Sequence, residues 1–226
     1  LVFDFVVTDG DGDRATNAFN IDIRDDGPVS PVQPVVLSGV DEDDLPIGND
    51  LPKESHTTAG ELGINWGADD AKAGDVGAVA GHIRTLSFND LAGAISGLTS
   101  DHFGLVAGTV TTLANGGQRV TVYKDDPAHH DAVFTLTLDP TTAGGNVTFK
   151  LEGNLDHGGL GEDPKTLSFG FTATDSDGDS SNGTFKVDVT DDVPLIPIGS
   201  TNSAADEDGI VFFGGGLPNS NPGGPA

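Results

Sequence analysis

Two short stretches of the sequence place an aspartate at every second position beside glycine. The first contains Asp9, Asp11 and Asp13, and the second contains Asp175, Asp177 and Asp179. In extended backbone every second side chain points the same way, so the three carboxylates of a stretch converge. Hard oxygen donors at this density suit Ca²⁺, which takes about six to eight of them. We therefore expect a calcium site in each stretch, with a solvated Asp/Gly turn as the alternative.

The spacing in these stretches differs from that of an EF-hand loop. Glycine stands at the fourth position, where an EF-hand needs it at the sixth. The twelfth position is Asn20 in the first stretch and Lys186 in the second, in place of the required glutamate. Any calcium site here must therefore be of another type.

Further acids flank two connectors that contain prolines. Asp25, Asp26, Asp191 and Asp192 precede the connectors, and Asp41, Glu42, Asp43, Asp206, Glu207 and Asp208 follow them. Proline keeps such connectors extended and fairly stiff. We expect the acids on the two sides of a connector to share Ca²⁺ ions and to stiffen the joint between successive domains. A merely hydrophilic linker is the alternative.

The elements that would position these acids are strands. Apolar residues alternate at period two, which is typical of half-buried strands, over 3–7, 19–23, 134–138, 147–151, 167–171 and 185–189. Further strands are predicted at 83–90, 104–112 and 117–124, and no segment has a helical period of useful length. Seven or so short strands in about 150 residues predict an antiparallel two-sheet sandwich. The acidic stretches are the turns of its hairpins, and 41–82 is predicted to be an extended region.

The sequence also repeats itself. Residues 1–28 return without a gap as residues 167–194, at a constant offset of 166 and with thirteen identities. The predicted organisation is therefore the C-terminal hairpin of a preceding repeat (1–28), a proline-rich linker (29–40), a complete repeat (41–194), a second linker (195–205) and the start of the next repeat (206–226). A lone two-stranded hairpin is marginal in water, so we expect residues 1–24 to need the preceding domain or a neighbouring chain.

Composition limits the partners. The chain carries 36 acidic and 10 basic residues, a net charge of −26, which excludes nucleic acid and anionic membranes on electrostatic grounds and suits multivalent cations. It has no cysteine, so disulfides cannot stabilise it. No apolar run approaches the ~18 residues of a membrane span, so we expect no membrane insertion. The N-terminus has no basic-then-apolar signal segment.

Catalysis is not expected from these residues. Paired carboxylates act as acid and base in glycoside hydrolysis. Here, however, the acids stand in repeated turns without apolar neighbours that would raise one pKa above the other. No Ser/His/Asp order, phosphate loop or zinc-ligand spacing is evident. We therefore predict that the chain is not an enzyme.

Some residues make weaker claims. Asp69-Asp70, Asp125-Asp126 and Asp131 form acidic loops with little to distinguish them from ordinary surface. Trp66 is the only tryptophan, and we expect it to fill the core rather than to serve as a ligand platform.

Several runs together resemble a known family. They are Leu155-Asp156-His157, the glycine-rich loop after it, residues 167–179 and the closing Asp191-Asp192-Val193-Pro194. This arrangement is similar to the calcium-dependent immunoglobulin-like tandem repeats of giant RTX-type adhesins, which bacteria export by type I secretion. Residues 63–70 and the Asp-Glu-Asp triplet are similar to the N-terminal half of such repeats. Val193 departs from the pattern, because glycine stands at the matching position 27.

The resemblance implies an immunoglobulin-like β-sandwich that folds with calcium after export. It implies a structural extender module of an extracellular protein, secreted or on the bacterial surface, in cell adhesion and biofilm. The expected partners are calcium ions and adjacent repeats of the same chain or neighbouring copies. A carbohydrate- or surface-binding module and a self-polymerising filament subunit are the alternatives. One Trp and one Tyr supply little of the aromatic platform that a carbohydrate-binding module uses.

Overall fold

The computed structural model describes residues 1–48, 51–126 and 130–194. Its strands are β1 (Val2–Thr8), β2 (Arg14–Asn20), β3 (Val35–Asp41), β4 (Thr57–Glu61), β5 (Thr85–Asn89), β6 (Thr99–Ser100), β7 (Phe103–Ala107), β8 (Thr111–Thr112), β9 (Gln118–Lys124), β10 (Ala132–Asp139), β11 (Asn146–Leu151), β12 (Pro164–Thr174) and β13 (Ser180–Thr190). A 3₁₀ turn covers Glu42–Asp44, and a short helix, α1, covers Leu91–Ile95. The predicted linker 195–205 and the predicted next repeat, 206–226, lie outside the described residues.

The described strands form three sheets. One sheet has the order β4-β11-β10-β9-β7-β6, with β8 beside β9, and a second has the order β3-β13-β12-β5. The third is a ribbon of β1 and β2 alone. The two larger sheets share one apolar core, to which both contribute buried side chains such as Phe134, Phe149, Phe169 and Phe185. The prediction of an all-β fold is confirmed.

The core follows from the alternation seen in the sequence. Over residues 134–139 of β10 and 185–190 of β13 the buried and partly buried positions alternate, because successive side chains of a strand point to opposite faces. Phe134 stacks on Phe149 with ring centroids 5.2 Å apart, and its edge meets Phe169 of the other sheet at 5.8 Å. Trp66 is 3 % exposed within this core, as predicted.

One strand departs from the predicted antiparallel pattern and from the predicted linker. β3 runs parallel to β13, from Val35 beside Phe185 to Asp41 beside Thr190. It therefore occupies the second half of the predicted linker 29–40 and makes its sheet mixed. A bulge near Gly39 breaks its alternation, so Leu37 and Val40 are the buried positions. That break removed the period-two signal by which the strand would have been predicted.

The smaller elements that were not predicted include β4 and α1. β4 lies within the segment expected to be merely extended, 41–82, and pairs with β11 at the edge of its sheet. The helix α1 is only five residues long, too short for a helical period to appear in the sequence. Asp90 caps it by accepting a hydrogen bond from Gly93 N at 3.1 Å.

The ribbon duplicates the β12–β13 hairpin in three dimensions. Phe3 pairs with Phe19 and stacks on it at 5.2 Å, as Phe169 pairs with Phe185 and stacks on it at 5.4 Å. The difference is burial, because Phe3 is 43 % exposed and Phe169 is 1 % exposed. All the residues of β1 and β2 are exposed. The ribbon therefore presents to solvent the apolar face that its second copy buries in the core.

The path of the chain through the sandwich runs from one end to the other. Gly27 passes beside Asp179, and Ser30 Oγ lies 2.8 Å from Ser181 Oγ, so the chain arrives where β13 begins. It then follows β13 as β3, and β13 itself ends at Thr190. At ~3.3 Å per residue, the eleven residues of β13 separate the point of arrival from the point of departure by about 36 Å.

Candidate metal centre

The turn between β12 and β13 is shaped by its own sequence. Asp175 N donates to Asp179 O at 3.0 Å, and Asp175 Oδ1 accepts from Gly178 N at 3.0 Å and from Asp179 N at 2.9 Å. Gly178 has φ +115°, which disfavours any residue with a side chain. The ribbon repeats this turn, since Asp9 Oδ1 accepts from Gly12 N and Asp13 N at 3.1 and 2.9 Å.

Burial distinguishes the two copies of the turn. Asp175 is 2 % exposed, and its Oδ2 is buried without a hydrogen-bond partner in the described structure. Burial, followed by the neighbouring Asp177, raises the pKa of Asp175. The exposed Asp9 has a lowered pKa, chiefly because the Asp11 side chain and the Asp13 backbone hydrogen-bond to it. Burial therefore disfavours the charged form of Asp175, whereas hydrogen bonds favour the charged form of its exposed counterpart Asp9.

More acids gather around the buried turn. Ligand oxygens of Asp175, Asp177 and Asp179 lie within 4.8 Å of one another, and so do those of Asp25, Asp69 and Asp177. Burial and then the charges of Asp177 and Asp25 raise the pKa of Asp69. We refer to this group as the turn cluster; its members are Asp25, Asp26, Asp69, Asp175, Asp177 and Asp179.

Hydrogen bonds hold the segments of the turn cluster together. Asp26 Oδ2 accepts a hydrogen bond from Ala68 N at 3.0 Å. Gly67, at φ +75°, leaves the space for this approach, because a Cβ there would lie 2.6 Å from Asp26 Oδ2. Ser176 links the turn to the Asp69 segment, because both its N and its Oγ donate to Asp69 O at 3.0 Å. The cluster is thus assembled from three separate segments of the chain.

A second group of acids lies at the far end of β13. Asp41 ends β3 beside Thr190, and its side chain accepts from Asp43 N at 3.0 Å to start the 3₁₀ turn. This turn carries Glu42 inward, where it is 4 % exposed. We refer to the group as the strand-end cluster; its members are Asp41, Glu42, Asp43, His157, Asp191 and Asp192.

The carboxylates of the strand-end cluster also hinder one another's ionisation. Burial, and then the charges of Asp191 and Asp192, raise the pKa of Glu42 to about 8. The hydrogen bond with Asp43 is the main cause that raises the pKa of Asp192 to about 6. Asp43 Oδ1 is buried with no hydrogen-bond partner in the described structure.

The structure corrects the expected pairing of acids across a connector. Asp25 and Asp26 meet Asp69 and Asp177, whereas the triplet 41–43 meets Asp191 and Asp192. The two sets lie at opposite ends of β13, because much of the supposed connector is strand β3. Asp206, Glu207 and Asp208 lie outside the described residues. Asp11 and Asp13 join Asp9 in an exposed group whose ligand oxygens lie within 4.8 Å of one another.

The sequence analysis gave too little weight to Asp69 and did not identify His157 as a ligand. Asp69 was assigned only to an ordinary acidic loop, yet its ligand oxygen lies within 4.8 Å of those of Asp25 and Asp177. His157 was not predicted as a ligand, although its side chain is 1 % exposed and contacts Glu42. No local spacing could reveal that contact, because 115 residues separate the two side chains.

Calcium fits the turn cluster by two properties of its residues. The donors are hard carboxylate oxygens, which Ca²⁺ prefers, and Asp175 Oδ2 is buried and unpaired in the described structure. A bound cation would lower the pKa of every carboxylate around it and relieve their mutual repulsion. The residues that would hold it are Asp175, Asp177 and Asp179, with Asp25 and Asp69 beside them.

Comparisons of the chain with protein-family models, curated proteins and solved structures find no match. None of the helices in the described ranges is long and apolar enough to cross a membrane. The two clusters and the path of the chain between them are therefore the features that bear on function.

Proposed function

We propose that this chain is a calcium-stabilised structural extender module of a secreted or surface-attached bacterial adhesin, built from immunoglobulin-like sandwich repeats. One observation carries the proposal: the chain arrives beside the start of β13 and leaves at its end, about 36 Å away. A domain with this path adds its full length to a tandem array. A domain whose ends lay side by side would add little length.

A calcium ion bound by the turn cluster, beside the start of β13, would serve this role. The turn cluster joins Asp25 and Asp26, which follow the ribbon, to carboxylates that belong to the sandwich. An ion held there would bridge the segment that leaves one repeat and the body of the next. With a net charge of −26, the chain gains from every cation that replaces repulsion between carboxylates.

The exposed ribbon indicates the neighbour that such a module needs. Phe3, Phe5 and Phe19 are 43 to 50 % exposed, whereas their counterparts Phe169, Phe171 and Phe185 are at most 1 % exposed. The counterparts are covered by the rest of the sandwich, so a second sandwich body of the same kind would cover the ribbon. The partner is therefore an adjacent repeat or a neighbouring copy of the chain.

An extracellular location fits this account, because extracellular calcium modules bind at about 10⁻⁴ to 10⁻³ M. Such sites would fill outside the cell and stay largely empty in the cytosol. We assign the clusters no catalytic role, since electrostatic bridging accounts for their acids.

Small-angle scattering tests the proposal on residues 1–194 followed by a second copy of residues 29–194. In calcium, the added sandwich should make the maximum dimension about 35 Å or more longer than that of residues 1–194 alone, because β13 has about this length. Removal of calcium by a chelator should reduce the average length and broaden its distribution. A short profile in calcium would contradict the extender role, and an extended profile unchanged by chelation would contradict the role of calcium at the joint.

A further inference from the structure

His157 is held in an orientation that fixes which of its ring nitrogens carries hydrogen. Nδ1 lies 2.9 Å from Asp163 O. A backbone carbonyl only accepts hydrogen bonds, so Nδ1 must be the donor. In the neutral ring, Nε2 then presents a lone pair. The side chain is 1 % exposed, so water does not reach this nitrogen freely.

That lone pair faces another acceptor. Nε2 lies 3.3 Å from Glu42 Oε1, which already accepts a hydrogen bond from Leu155 N at 2.6 Å. Two acceptors in contact inside the protein repel unless a cation lies between them. An oxygen of Asp191 belongs to the same group, whose ligand atoms all lie within 4.8 Å. A proton bridges only two of these atoms, whereas a metal ion binds all three.

The donors and their spacing point to a particular class of ion. Imidazole nitrogen suits zinc and its neighbours among the transition metals, whereas Ca²⁺ takes oxygen. Metal bonds of 2.0–2.1 Å in a tetrahedron place neighbouring ligand atoms about 3.3 Å apart, which is the distance from Nε2 to Glu42 Oε1. Donation by the second ring nitrogen to a carbonyl is also the usual support of a metal-binding histidine.

We propose that Glu42, His157 and Asp191 form a binding site for a zinc-like divalent ion, distinct from calcium binding elsewhere in the chain. The ion would join the 3₁₀ turn, the loop after β11 and the end of β13. This proposal does not depend on calcium binding by the turn cluster.

Isothermal titration calorimetry of the full chain with ZnCl₂ tests the proposal. The buffer contains about 10 mM CaCl₂, which fills the sites that prefer oxygen ligands. We expect one tight zinc site per chain that calcium does not displace. His157→Gln should weaken it by at least about 100-fold, since loss of a mere supporting partner of a metal ligand costs 10- to 100-fold. His102→Gln is the control, because the side chain of His102 is 97 % exposed, and it should leave the affinity unchanged.

Zinc binding that survives His157→Gln, or zinc that calcium displaces, would overturn the proposal. Trp66 fluorescence shows whether each variant folds. Glu42→Gln is the second variant, because it keeps an acceptor for Leu155 N while removing the charge, and it should also weaken zinc binding. Anomalous diffraction at the zinc edge from crystals of the unaltered chain gives an independent answer: a peak among the three side chains supports the site, and its absence refutes it.

Discussion

Replacing Asp175 by asparagine should have opposite effects on the metal-free chain and on the calcium-bound chain. The asparagine side chain would keep the oxygen that accepts from Gly178 N and Asp179 N. Its amide nitrogen would put a hydrogen-bond donor where the buried, unpaired Oδ2 now lies, close to the carboxylates of Asp177 and Asp179. The metal-free protein would thus lose a desolvated charge and gain a hydrogen bond.

The size of both effects follows from these contacts. Leaving a buried polar group unpaired costs about 1–3 kcal/mol, so the Asp175→Asn variant should unfold a few degrees higher than the unaltered chain when both are free of metal. For the unaltered chain, a calcium site with a dissociation constant of 10⁻⁴ to 10⁻³ M adds about 1.4 to 2.7 kcal/mol at ~10 mM calcium. That increment corresponds to about 3 to 11 °C, and the variant should lose most of it.

Trp66 fluorescence during heating measures this directly, because the only tryptophan is 3 % exposed in the sandwich core. Asp9→Asn is the matched control, since its turn has the same hydrogen bonds but is exposed in the ribbon. The control should change the free energy of unfolding of the sandwich by no more than about 0.5 kcal/mol, with or without calcium. If Asp175→Asn lowers the metal-free midpoint, or leaves the calcium increment intact, the assignment of calcium to the turn cluster is wrong.

Two further predictions concern pH and the two copies of the hairpin. With divalent ions removed, the free energy of unfolding should fall as pH rises from about 4.5 to 8, because folding raises the pKa of Glu42 from 4.5 to about 8 and that of Asp192 from 3.8 to about 6. Urea unfolding at pH 5 and pH 8 checks this, and a metal-free chain that is more stable at pH 8 than at pH 5 would contradict it. In calcium the free energy of unfolding should instead rise with pH, since ligation needs ionised carboxylates. Phe169→Ala should cost about 3–5 kcal/mol of sandwich stability, whereas Phe3→Ala, its exposed counterpart, should cost less than about 0.5 kcal/mol. Equal losses in urea unfolding would show that the ribbon packs on the sandwich.

Local signals in the sequence were enough to predict the hairpins and their turns. The alternation around Phe169 and Phe185 is a property of strands buried on one face, and the Asp/Gly turn depends on hydrogen bonds within five residues. The same local pattern gives the ribbon the same shape although its strands are exposed throughout. The all-β class and the positions of the hairpin turns were therefore predictable.

The arrangement of the acids was not predictable in the same way. β3 carries a bulge near Gly39 and pairs parallel to β13, so its residues look like a linker in the sequence. Whether Asp41 meets Asp26 or Asp191 depends on that pairing alone. The contact of Glu42 with His157 likewise needs the fold, because the two residues lie on separate loops 115 positions apart.

The thermal midpoint of the unaltered chain reports whether bound calcium stabilises the sandwich. Trp66 fluorescence should be followed at neutral pH in about 10 mM calcium, in the same concentration of magnesium and in EDTA. Calcium should raise the midpoint by several degrees over EDTA, and magnesium should raise it less, because Mg²⁺ gives up its water reluctantly. A midpoint that is the same in calcium and in EDTA would contradict the account.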